Sequence, residues 1–388
     1  MTEVRADPLD LLRTRTSEKW LAYPANVLPL FVAEMDYPLA PVIADAIIDR
    51  VRASDTGYVA GSLPVGIAFA GFAARRWAWD VDPGSVMTTT DVSVGIVEIL
   101  RQATAPGDGV VICPPVYPPF FDLIPEAGAR VVEVPLLDDG VAWSLDLQGI
   151  EAAFAAGARA FLLCNPHNPV GLVHSRASLE AVAMLAERYG VTVVSDEIHG
   201  PLTLPPAEFI PYLTVSDAAR EHGLVVTSAS KAFNLAGLKC ALMVAASDRG
   251  RAVLEAMPIE VLVRTSLLGQ HASVAAFTHG DDWLDGTLTA LETGSALLGS
   301  LLASELPGVV FRPPGASYLA WLDFRQLGWG EDPSIRALKA GVALNAGPTF
   351  GDQGRGFARL NFACAPDVLT EAIARLAAVT AVDTRYLR

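Results

Sequence analysis

Val193-Val194-Ser195-Asp196-Glu197-Ile198-His199 runs from aliphatic residues straight into two acids and a histidine. A strand that buries one face alternates apolar with polar residues, whereas a strand buried on both faces does not, so Val191 to Ser195 reads as an interior strand of a parallel sheet. The same texture recurs in both directions along the chain. Gly109 to Cys113, Arg130 to Val134, Ala160 to Cys164, Leu224 to Ser228 and Cys240 to Ala245 are each too short for a helix and rich in Val, Ile and Leu. Between them lie helical patterns such as Ser178 to Tyr189, where Leu179, Val182, Ala183, Leu185 and Ala186 recur on one face. This alternation predicts an α/β fold over about Val86 to Val244, with a mainly parallel sheet covered by helices.

After Asp281 the pattern changes. A long helical stretch from Trp283 to Leu306 leads through Gly308 to Phe324 and Pro- and Gly-rich turns to a last helix from Asp367 to Thr380. Residues 46–282 are therefore expected to form a large domain, and residues 1–45 with 283–388 a smaller α+β domain. No internal repeat or low-complexity linker interrupts this arrangement.

With 388 residues, 52% of them hydrophobic, the chain is long enough for two packed units. Its formal net charge of -15 and the absence of Lys/Arg clusters exclude a nucleic-acid partner. Cys113, Cys164, Cys240 and Cys364 are scattered without CxxC or His spacing, which predicts buried free thiols and no metal site. Met1 to Asp10 starts charged, without the apolar core of a signal segment, and no run of about 18 apolar residues follows. A cytoplasmic protein without a membrane partner is the expectation.

Residues suited to chemistry fall at the ends of the predicted strands. Thr227-Ser228-Ala229-Ser230-Lys231 follows one strand and leads to Phe233-Asn234-Leu235-Ala236-Gly237-Leu238-Lys239. A lysine becomes a Schiff-base nucleophile where desolvation or a nearby cation lowers its pKa, and Lys239 is a candidate cation. Ser228 and Ser230 offer hydroxyls and backbone N–H groups to a phosphate. The alternative is an exposed lysine in a serine-rich loop. Asp196 closes another strand, where open α/β sheets place ligands, though a helix-capping Asp is also common there. Asn168, within Asn165-Pro166-His167-Asn168-Pro169-Val170-Gly171, is a hydrogen-bond donor or a structural turn residue. Tyr117 can stack on a planar ring or pack in the core. Arg359 stands alone in the apolar run Phe357-Ala358-Arg359-Leu360-Asn361, so it should meet a carboxylate, from the protein or from a substrate.

These segments, in this order, resemble fold-type I enzymes dependent on pyridoxal 5'-phosphate (PLP), and most closely the cystathionine β-lyase or C–S lyase group. The resemblance spans nearly the whole chain and includes Ala33-Glu34-Met35-Asp36-Tyr37-Pro38 and Gly57-Tyr58. It implies a PLP-dependent transferase-like fold with a seven-stranded sheet sandwiched by helices. By position it implies Lys231 as the Schiff-base lysine, Asp196 as partner of the pyridine nitrogen, Asn168 as donor to the phenolic oxygen and Tyr117 as the stacking ring. Val92, Ser93, Ser228, Ser230 and Lys239 fall on the phosphate side. Tyr58 matches a tyrosine that reaches the neighbouring subunit's phosphate, which implies a homodimer. Arg359, with Asn361 and Tyr37, is implied to bind an amino-acid substrate. His199 stands where many aminotransferases have a tyrosine; a buried structural histidine is the other reading. The remaining histidines, His167, His174, His222, His271 and His279, read as surface or loop residues.

Three departures from the pattern stand out. Thr90-Asp91-Val92-Ser93 puts an acid where the phosphate loop usually has glycine. Gly200-Pro201 follows the histidine where an aspartate is usual, and the late Ala363-Cys364-Ala365-Pro366 lacks an arginine. The resemblance implies β-elimination of a sulfur leaving group to thiol, pyruvate and ammonia. The competing expectations are a PLP-dependent aminotransferase and a PLP-binding regulatory protein with little turnover.

Overall fold

The computed structural model describes residues 2–386. Its main sheet comprises β1 (Val86–Thr89), β2 (Gly109–Ile112), β3 (Arg130–Glu133), β4 (Ala158–Cys164), β5 (Thr192–Asp196), β6 (Gly223–Thr227) and β7 (Ala241–Ala245). These seven strands lie in the order β1-β7-β6-β5-β4-β2-β3. Only β7 runs against its neighbours; the other pairings are parallel. Every residue of β2, β5, β6 and β7 is buried, which is why none of them alternates apolar with polar.

Successive strand residues point to opposite faces and enter different cores. Val193 and Val225 belong to one hydrophobic cluster, while Val194 and Val226 belong to another. The main helices are α1 (Pro41–Arg52), α2 (Leu63–Trp77), α3 (Val92–Ala103), α4 (Arg176–Tyr189), α5 (Ala229–Ala232), α6 (Leu267–His279), α7 (Asp281–Glu305) and α8 (Pro366–Tyr386). α3 covers one face through Ile96, Ile99 and Leu100; α4 covers the other through Leu179, Val182 and Ala186. Each large aliphatic side chain buried this way contributes about 1.5–3 kcal/mol of transfer free energy. The ends of α4 are set locally. The Ser175 hydroxyl accepts from the Ser178 N–H at 3.2 Å, and Gly190, at φ +68°, takes the left-handed turn that closes the helix.

A second, antiparallel sheet is built from β8 (Val310–Phe311), β9 (Leu319–Asp323), β10 (Asn345–Ala346) and β11 (Phe357–Asn361), in the order β8-β9-β11-β10. α7 packs on α8 beside it. The N-terminal segment joins this region through the pairing of Leu28–Pro29 with Val342–Ala343. The breaks expected at 45/46 and 282/283 fall inside α1 and in the first turn of α7, so the chain passes between the two regions along continuous helices. All four cysteines are free and buried. Among the described residues, no helix is long and apolar enough to cross a membrane, and no group of three His, Cys, Asp or Glu side chains is placed to hold a metal ion.

Candidate active site

The carboxyl ends of β1, β2, β4, β5 and β6 and the start of antiparallel β7 share one edge of the sheet, and a cavity of about 190 Å³ opens there. Ligands of open α/β sheets collect at such an edge because every strand delivers a loop to it. Each loop contributes to the lining: Thr90 to Ser93 after β1, Tyr117 after β2, Asn168 after β4, Asp196 at the end of β5, Ser228, Ser230 and Lys231 after β6, and Lys239 before β7.

Lys231 lies in the one-turn helix α5. Ser228 caps this helix, accepting from the Ser230 N–H at 3.0 Å while donating to the Cys240 carbonyl at 2.7 Å. The amine of Lys231 donates to the Ala33 carbonyl at 2.9 Å. Burial lowers its pKa to about 8, and the Arg359 guanidinium pushes in the same direction. The expected cation was Lys239, and the structure corrects this. Lys239 Nζ pairs instead with Asp91 Oδ2 at 3.1 Å, and Arg359 supplies the positive field at Lys231.

Asp196 accepts from the Ile198 N–H at 3.2 Å in the turn after β5 and caps no helix. Burial raises its pKa to about 7, although that bond and the charge of Lys231 oppose the shift. It is thus a carboxyl group that would ionise against a cationic N–H partner. Its neighbour Glu197 faces the other way and braces the edge. One oxygen of Glu197 accepts from Ser195 Oγ at 2.9 Å, Asn165 Nδ2 at 3.3 Å and the Tyr212 N–H at 2.8 Å. This ties the Asn165 loop to the end of β5.

Arg359, on β11, donates to Asn168 Oδ1 at 3.0 Å and to the Phe31 carbonyl at 3.1 Å, and its guanidinium lies 5.1 Å from the Phe350 ring centroid. Burial lowers its pKa to about 10. No carboxylate among the described residues pairs with it, and its Nε has no partner. Of the two partners expected for this buried cation, a substrate carboxylate is the one left open. Arg359 also takes the Asn168 oxygen and leaves that amide's N–H₂ as a donor. Tyr117 presents its ring to the cavity, edge-on to Phe120 at 5.8 Å. His199 is buried beside Tyr318 at 6.3 Å, with Nδ1 unpartnered. Burial, and then the charges of Lys231 and Arg359, lower its pKa to about 3, so it is neutral.

Arg359 does not line the cavity itself but adjoins it through Asn168, and three further expected residues are not brought to it. Asn361 has its amide engaged with the backbone, donating to the Val32 and Glu34 carbonyls at 2.8 and 2.7 Å and accepting from the Ala363 N–H. Its task is to hold the N-terminal segment. Tyr37 lines a separate cleft with Cys364 and the 286–297 face of α7. Tyr58 is 101% exposed and touches nothing in the site. His167 and His174 are not surface residues: both are buried, edge to face at 5.8 Å, with burial holding each neutral, and they bond the Pro115 and Cys164 carbonyls.

Other contributors were not found from the sequence. Tyr318 donates to the same Ala33 carbonyl as Lys231, at 3.0 Å, and Cys164 forms part of the cavity wall. Ala33 acts through its backbone, which no residue type announces. Cys164 carried one usable signal, its place at a strand end beside Asn165.

A carboxyl on one side, an amide donor on another, an aromatic face, an amine of lowered pKa and an end with Lys239 and a helix N-terminus together suit a flat heteroaromatic cation that carries a carbonyl and an anionic arm. A family model described as aminotransferase class I and II matches residues 25–376. The chain belongs to the class I and II aminotransferase family. Within it, a Mycobacterium leprae protein provisionally named cystathionine beta-lyase is 44% identical, covering 95% of this chain and 96% of its own. Cystathionine beta-lyase of Corynebacterium glutamicum is 33% identical over 97% of this chain and 100% of its own. A Corynebacterium diphtheriae structure, provisionally named a PLP-dependent beta-cystathionase, superimposes with a TM-score of 0.92 at 35% identity, covering 97% and 99% of the two chains. This class I and II aminotransferase chain therefore has the family's α/β fold over nearly all of its described residues.

Proposed function

We propose that this chain is a PLP-dependent carbon–sulfur β-lyase. It cleaves cystathionine or another L-cysteine S-conjugate, with water, to a thiol, pyruvate and ammonia. The observation that carries the choice of reaction is the full-length likeness, at 33–44% identity, to relatives named cystathionine beta-lyase. The site's donor set supports the cofactor. Asp196 would meet the pyridinium N–H, Asn168 the phenolic oxygen, Tyr117 the ring face, and Val92, Ser93, Ser228, Ser230 and Lys239 the phosphate. The unpartnered Nδ1 of His199 points to the same group.

Bound there, PLP supplies an electron sink for the bonds at the substrate's α-carbon. The protein's own groups do the rest. With its pKa lowered to about 8, Lys231 has a usable fraction of neutral amine at physiological pH, which lets its Nζ serve as nucleophile and accept the α-proton. Asp196 would ionise against the cationic ring and so hold a proton on its nitrogen. Arg359 fixes the substrate carboxylate, with Asn168 and the Phe31 carbonyl holding the guanidinium in place. The Phe31 to Met35 segment covers the amine side and limits water there.

The deciding assay supplies cystathionine without any keto acid and measures pyruvate and free thiol. Their appearance supports the lyase; product formed only when a keto acid is added would mark an aminotransferase. A cofactor spectrum that no amino acid perturbs would mark the regulatory alternative.

The exposed Tyr58, flanked by exposed Val51, Leu63 and Ile67, supports a homodimer in which Tyr58 serves the partner's phosphate site. The division into residues 46–282 and residues 1–45 with 283–388, and a cytoplasmic setting, belong to the same proposal.

A further inference from the structure

Asp91 is the departure that the proposed chemistry leaves unexplained. It is the N-cap of α3, with Oδ1 accepting from the Val94 N–H at 3.0 Å. Its second oxygen accepts from Lys239 Nζ at 3.1 Å. A helix N-terminus and a nearby ammonium are what an anionic ligand uses, and here a carboxylate of the chain itself already holds both. The backbone of Lys239 fixes where its side chain leaves the chain. It is held in the left-handed region at φ +54°, and its carbonyl accepts from the Ser266 N–H at 3.1 Å.

The charge balance at the cavity follows from this pairing. Among the described residues lining it, the charged ones are Lys231 and Lys239 against Asp91 and Asp196. Asp196 is matched to the ring and Lys231 to the carbonyl, so the phosphate end is left with Lys239, and Asp91 neutralises it. The two side chains are 37% and 52% exposed, so the ion pair is weak enough to open, yet the carboxylate stays at the helix end after it does.

The geometry points to Asp91 as a resident anion that competes with the cofactor's phosphate for Lys239. It lowers PLP affinity through the phosphate alone and makes the cofactor exchangeable. In the cofactor-free protein the same carboxylate caps α3 and pairs Lys239, so that end of the site needs no ligand to be electrostatically satisfied. This inference rests on the PLP reading of the site.

The test titrates the cofactor-free wild type, Asp91→Asn and Asp91→Ser with PLP and, separately, with pyridoxal, which has the same ring and aldehyde but no phosphate. Binding is read from the visible absorption of the lysine-bound aldehyde. Asn and Ser both retain an N-cap acceptor, so either variant removes charge without removing the cap. Both should bind PLP about tenfold tighter than wild type, as expected on removing one like charge from a half-exposed site, with pyridoxal affinity unchanged. The gain should shrink at high salt. Unchanged or weaker PLP binding in both variants would overturn the inference and make Asp91 a device for aiming Lys239. Equal tightening of PLP and pyridoxal would also overturn it. A wild type that binds no PLP would instead sink the cofactor reading.

Discussion

The side-chain amide of Asn234 closes both hydrogen bonds of the Met35 backbone: Oδ1 accepts from the Met35 N–H at 3.1 Å and Nδ2 donates to the Met35 carbonyl at 2.9 Å. Asn234 lies three residues beyond Lys231, and the Ala33 carbonyl two residues before Met35 is the one that Lys231 and Tyr318 share. The lysine loop is thereby stitched to the segment that covers it. Asn234→Asp replaces the donor with an acceptor facing the Met35 carbonyl, at an expected loss of about 1–3 kcal/mol. Steady-state kinetics should show KM rising more than kcat falls, while the absorption of the lysine-bound cofactor persists. A variant with wild-type KM would remove Asn234 from any positioning role.

Lys231 ionises near pH 8 in the cofactor-free protein, so the rate at which it captures PLP should rise through pH 8 and level off above it. Stopped-flow absorbance across pH 6–10 checks this. Arg359→Met takes away a cation that favours the neutral amine, so the midpoint should move upward.

Asp196 is held neutral by burial up to about pH 7, against an ordinary carboxyl value of 3.8. Between those values the folded cofactor-free protein binds a proton that the unfolded chain has already lost. Its stability therefore falls as pH rises across this window, by roughly 4 kcal/mol at 1.36 kcal/mol per unit. Burial raises the pKa of Glu197 as well, to about 8, and denaturant unfolding of cofactor-free wild type and Asp196→Asn at pH 4.5 and 7.5 separates the two, because only wild type carries the Asp196 contribution. Equal slopes in the two proteins would contradict it.

Arg359 is buried with no carboxylate among the described residues to answer it, so its removal should act on the substrate. Arg359→Ala should weaken binding of the amino acid by about 2–5 kcal/mol, seen as a raised KM and as loss of inhibition by simple amino-acid carboxylates. Arg359→Lys should recover only part of this, because an ammonium lacks the planar fork. Unaltered KM in the Ala variant would place the substrate carboxylate elsewhere.

The sheet was legible because its interior strands are buried on both faces, and that burial writes itself into runs such as Val110-Val111-Ile112 and Leu224-Val225-Val226. Asp196 and Arg359 were legible because each interrupts an apolar run with a group that would otherwise be costly to bury, and Lys231 and Asn168 because they stand in the polar turns that follow such runs. The pairings between them were not. Arg359 finds Asn168 across 191 residues, and Lys239 finds Asp91 across 148. Nothing local specifies either. The covering segment was least visible of all, since Phe31, Val32, Ala33 and Glu34 are held by their carbonyls, which every residue has. Asn361 was given to the substrate by the resemblance alone, and the carbonyls of Val32 and Glu34 that it holds instead leave no mark in the sequence.

The four cysteines have a consequence for an enzyme that releases thiols. When a product thiol is oxidised to its disulfide, that disulfide can be attacked by any protein sulfur that is ionised and reachable, leaving a mixed disulfide on the protein and releasing the second thiol. Here burial raises every one of the four: Cys240 to about 11, Cys364 to about 12, and Cys113 and Cys164 far above the usual range. Even Cys164, in the wall of the reaction chamber, stays a protonated thiol, so the catalyst is chemically deaf to the very functional group it sets free.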